Sequence, residues 1–213
     1  MGLAERPAAR PSFVEGLERW LGWTDAIALS NVLASREGDF TSHAGSELHA
    51  PVAAPAARRA LTQLQASLSR RVERDGLGDD DVEFAPWRHH CHEVRHAMER
   101  DIPPLRAQLR AALASRGQAQ ARLAALDAVM EKALQPREQA VLAALPAWLH
   151  KRFEQCRQPA PEAARPTRAA TPRNPWLQTF RQDMRRLLQA ELALRLQPVA
   201  GLCEAIESQE HAA

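Results

Sequence analysis

One spacing recurs along this chain between its prolines: apolar residues three and four positions apart. It runs through Leu61, Leu64, Leu68 and Val72, then Leu105, Leu109 and Leu113, then Leu123, Leu126, Met130 and Leu134. It is broadest in Trp176, Phe180, Met184, Leu187, Leu188 and Leu192. Side chains so spaced share one face of a helix and must bury it against another element. Tyrosine is absent and valine and isoleucine are sparse, which leaves little material for strands. Hydrophobic residues make up 45% of the chain, enough for a packed core. The expected fold is therefore all-α, an irregular bundle of about seven or eight helices with two flexible loops.

Residues 1–11 have no apolar run and read as a disordered N-terminus rather than a signal peptide. Residues 12–34 read as a helical hairpin. Ser12 and Glu15 form a capping box, and Phe13, Leu17, Trp20 and Leu21 make the first stripe. A break at Gly22 is followed by a restart with Thr24 or Asp25 as N-cap, and by Ile27, Leu29, Val32 and Leu33 as a second stripe. Residues 35–55 follow neither period and read as a flexible loop.

Residues 56–158 form the expected bundle, with Pro55 suited to a first helical turn. Proline punctuates it. One helix should run from Pro86 to Pro103-Pro104 and another from Pro104 to about Gly117. Pro136 should divide the next two, and Pro146 should kink the second of these. Residues 159–174 are rich in proline, alanine and arginine and read as a linker. Residues 175–207 read as a C-terminal amphipathic helix bent at Pro198.

Net charge is +2, too balanced to make nucleic acid or an anionic membrane the default partner. Residues 151–186 hold nine basic and three acidic residues, a local +6. Trp176 and Phe180 would be the bases' stacking groups there, but both fall on the apolar stripe, which favours packing over nucleic acid. No segment approaches the roughly 20 apolar residues that span a bilayer. Cys91, Cys156 and Cys203 are few, odd in number and far apart, which points to a reducing, cytoplasmic setting.

The densest chemistry is WRHHCHEVRHAMER at 87–100, with four of the eight histidines. At 100° per residue His89, His92, Glu93 and His96 share one face, with His90 to the side. Trp87, Cys91, Val94, Met98 and Ile102 occupy the opposite face and read as the core stripe. His92-Glu93-Val94-Arg95-His96 is a literal H-E-x-x-H, the pattern in which two histidines bind zinc and the glutamate activates water. A third ligand is needed. Neither an E-x-x-x-D nor an H-x-x-G-x-x-H extension follows, and the face points away from the expected core. A solvated helix face with no cofactor is the preferred reading. A zinc-dependent hydrolase with His92 and His96 as ligands and Glu93 as base is the alternative.

PSFVEGLERWLGWTDAIALS, LAALDAVMEKAL, LAALPAWLHKRFE and LQAELALRLQPVAGLCEAIES together resemble an uncharacterised proteobacterial all-helical family, a domain of unknown function. W-L-G-W-T-D-A-I-x-L-S is the most specific part. The resemblance implies no catalytic residues. It implies genes neighbouring predicted membrane and envelope proteins, hence an accessory to a membrane-associated assembly. The reading is a non-enzymatic cytoplasmic interaction protein with another protein as partner. Trp20, Trp23, Asp25, Trp176, Phe180 and Leu187 are its candidate interaction residues.

Overall fold

The computed structural model describes residues 22–34, 53–78, 81–158 and 174–212, with side chains throughout except at Trp23 and residues 210–212. The expectations for the N-terminus, the Ser12 capping box, Trp20, most of the 35–55 loop and nearly all of the 159–174 linker lie outside these residues. Everything regular in the described residues is helix: α1 (Trp23–Ala34), α2 (Ala54–Glu73), α3 (Phe84–Ala114), α4 (Gln118–Ala143), α5 (Leu145–Arg157) and α6 (Pro175–Ala212). These are six helices among the described residues, fewer than the seven or eight expected for the whole chain, of which the first half of the 12–34 hairpin lies outside the described residues.

Within the described residues the difference lies in the prolines. Pro103 and Pro104 sit inside α3, and Pro136 sits inside α4. Each interior proline costs about 3 kcal/mol or more and one backbone hydrogen bond. In α3, burial outweighs that cost. Trp87, Cys91, Val94, Met98 and Ile102 are all buried, as their spacing predicts, and Leu109, Ala112 and Leu113 extend the stripe beyond the prolines. Pro146, expected as a kink, instead stands in the first turn of α5, where a missing N–H is harmless. Ala144 alone separates α4 from α5. Pro198 lies within α6, which continues to Ala212.

α1 also starts earlier than expected. Gly22 precedes it, and Asp25 accepts a hydrogen bond from the Gly22 N–H at 3.2 Å, the reaching-back half of a capping box. Two glycines take left-handed backbone that other residues resist, Gly76 after α2 (φ +65°) and Gly117 between α3 and α4 (φ +138°).

α6 is the spine, about 57 Å long at 1.5 Å per residue. It packs along α2, α3 and α5, while α4 packs on α3 and carries α1. Leu177, Phe180, Met184, Leu188, Leu192, Leu196, Val199, Leu202 and Ile206 are all buried. Phe180 meets Phe153 and Trp87 edge to face, with centroids 5.0 and 5.6 Å apart. Arginines tie the helices at their rims. Arg106 and Arg110 grip Asp127, Arg152 grips Asp183, and Arg181 and Arg185 reach Asp75. Burial opposes ionisation of Asp127, but the bonds from Arg106 and Arg110 outweigh it and hold the carboxyl below its ordinary value.

Candidate functional site

α3 presents its histidines to solvent. His89, His92, Glu93 and His96 are exposed, and His90 is partly buried. The His92 and His96 rings lie side by side with centroids 6.3 Å apart. The neighbours diverge around the helix. His92 borders a cavity between α3, α5 and α6, whereas Glu93 borders a groove between α2 and α3. Among the described residues no group of three or more His, Cys, Asp or Glu side chains is placed to hold a metal ion. Zinc catalysis requires a third protein ligand, and the described residues place none beside this pair.

Behind this face, on the inner side of α3, lies a feature that the sequence reading missed. Glu191 of α6 is 4% exposed, the one buried charged residue among those described. Its Oε1 accepts hydrogen bonds from Arg95 of α3 at 3.2 Å and from Arg195 of α6 at 3.0 Å. Arg95 also donates to the Leu142 carbonyl at the end of α4, and Arg195 reaches Glu99 and Glu138. The cluster thus joins α3, α4 and α6. On one side it borders a cavity of about 590 Å³ lined also by Met98, Ile102, Met130 and Leu134. On the other it borders the α3–α5–α6 cavity, about 370 Å³ with mostly apolar walls. Its sequence signal was present: Glu191 and Arg195 are four apart and interrupt the apolar arc of LLQAELALRLQ.

Cys91 lines the smaller cavity. Burial pushes its thiol up to about 12, outweighing the nearby Arg95, so it is a protonated wall and not a nucleophile. In the native protein Cys91 is expected to resist a thiol reagent at neutral pH, while half-buried Cys156 reacts first. Rapid native labelling of Cys91, mapped by mass spectrometry, would contradict this placement.

The candidate interaction residues separate. Phe180 is fully buried and belongs to the core; Trp176 and Leu187 are half-buried and pack against it. Asp25 caps α1. Trp23 opens α1, and Trp20 lies outside the described residues.

α1 itself is the exposed apolar element. No residue among its described side chains is buried; Ile27 is 48% and Leu33 52% exposed. Leu29 and Val32 are half-buried, and Arg122 of α4 donates to the Val32 carbonyl at 3.2 Å. The expected single stripe fails on geometry: at about 100° per residue, Ile27 lies roughly opposite Leu29, Val32 and Leu33. The helix is apolar nearly all round, and among the described residues its one neighbouring helix is α4.

A family model described as "Protein of unknown function (DUF3348)" matches residues 1–208. The chain belongs to this family. No curated protein and no solved structure matches it. Membership in DUF3348 assigns no activity, so residue roles here rest on geometry alone.

Proposed function

We propose that this protein is a non-enzymatic helical interaction protein, and that α1 receives an apolar helix of a protein partner. The observation that carries the reading is α1: an apolar helix that rests, among the described elements, on α4 alone, with Ile27 and Leu33 half-exposed on it. Leu123 on α4 is exposed as well. Helices recognise one another by laying apolar faces together, and exposed apolar surface of this kind marks interaction sites.

The setting is proposed on weaker support. The three cysteines are free, which suits a reducing, cytoplasmic compartment. No described helix is long and apolar enough to cross a membrane. The resemblance to a proteobacterial family carrying the W-L-G-W-T-D-A-I segment supports a role as accessory to a membrane-associated assembly.

Ile27→Asp with Leu33→Asp tests the reading. Both positions are half-exposed, so the change is expected to cost little stability, about 1 kcal/mol or less. Affinity purification from the native host should recover a partner with the wild-type chain and lose it with the double variant. Equal recovery by a folded variant would overturn the role of α1.

A further inference from the structure

Ser67, Arg70 and Arg71 stand at i, i+3 and i+4 and so share one face of the C-terminal half of α2, and Arg74 follows as the residue that ends the helix. His90 and Glu93 of α3 stand across from them, and together these residues line an open groove of about 340 Å³. Around the core, arginines are committed to carboxylates: Arg95, Arg106, Arg110, Arg152, Arg181, Arg185 and Arg195 all form ion pairs. Arg70, Arg71 and Arg74 are exposed and form none among the described residues. The groove therefore gathers three guanidiniums without an ion pair, Arg71 only near enough to Asp101 to favour its charge, against Glu93 as the one carboxylate lining it.

His90 closes the α3 side of the groove. Val72 lies in the last turn of α2, where backbone carbonyls lack helical partners. Burial holds the His90 ring below its ordinary pKa, against the smaller opposing pull of Asp75 and the Val72 backbone. Its Nε2 is left buried with no hydrogen-bond partner. Neutral and enclosed, that nitrogen is part of the groove's wall and not a donor to its contents.

We propose that this groove binds a phosphoryl group, held by the forks of Arg70, Arg71 and Arg74 with Ser67 as a further partner. Three guanidiniums offer more directed donors than the two oxygens of a carboxylate use, whereas a phosphate monoester has three terminal oxygens to receive them. The groove is larger than one phosphate, so the group belongs to a bigger molecule. Glu93 opposes the anion and limits its affinity.

Titration calorimetry of the full chain with inorganic pyrophosphate, at fixed ionic strength, tests the site. Binding is expected in the wild type. Arg70→Ala with Arg74→Ala should weaken it at least about tenfold, since each lost charge-assisted bond is worth a sizeable part of a decade or more. Arg70→Lys with Arg74→Lys should also weaken it, because the charge stays but the fork is lost. Glu93→Gln should tighten it. No binding by the wild type, or an affinity unchanged in the double alanine variant, overturns the proposal. Should that variant fail to fold, Glu93→Gln decides: an unchanged affinity overturns it equally. Sedimentation with phosphatidylglycerol–phosphatidylcholine vesicles then identifies the source. Sedimentation reversed by pyrophosphate supports a lipid headgroup at this site. Pyrophosphate binding without sedimentation supports a soluble phosphorylated molecule.

Discussion

Phe180→Ala is expected to lower stability by about 4 kcal/mol, the range for removing a buried aromatic side chain. Phe180 is fully buried at the meeting point of α3, α5 and α6, against Trp87 and Phe153. No neighbouring ring can fill the void, because each is already held edge to face. For a chain of this size the unfolding midpoint should fall by roughly 8–16 °C. Trp176→Ala, at a half-buried position beside Phe153, should cost clearly less despite the larger side chain. Thermal unfolding of both variants checks the ordering. Equal losses would mean that the start of α6 is packed as tightly as its middle, against the burial seen here.

Glu191→Ala is expected to cost about 3–5 kcal/mol for a different reason. Arg95 and Arg195 are 19% and 14% exposed at the side chain, so removing Glu191 strands two largely buried cations. Glu99 and Glu138 still reach Arg195 but are themselves far more exposed. Arg95 would keep only the Leu142 carbonyl among its hydrogen-bond partners shown. Replacing all three charges together, Arg95→Met with Glu191→Leu and Arg195→Met, should recover most of the loss, because a buried ion cluster is seldom better than apolar packing of similar volume. Urea unfolding of the single and triple variants decides between the two accounts. A triple variant as unstable as the single one would show that the cluster is a net source of stability.

Both experiments probe features that differ in how legible they were. The stripes Leu61–Val72, Trp87–Ile102 and Phe180–Leu192 were readable as helix and as core, because a 3.6-residue apolar period has one economical explanation. The exposure of His89, His92, Glu93 and His96 followed from the same wheel. Glu191 was harder. A charge inside an apolar arc is visible in the sequence, but its partner Arg95 lies 96 positions away and only helix packing brings the two together.

The helix-forming periods, the scarcity of strand formers and the faces of α2, α3 and α6 were thus set locally, by the spacing of side chains on a turn of helix. Whether Pro103, Pro104 and Pro136 ended a helix was not. That depended on how much burial lay on both sides of each proline, and burial exists only once α6 lies along α3 and α4 lies beside it. The same holds for α1. Its residues favour a helix by themselves, but their exposure follows from its resting, among the described helices, on α4 alone, a choice made by the packing and not by any local stretch. Local periodicity determines which residues share a face; only the competition of all the faces for the same interior determines which of them are covered.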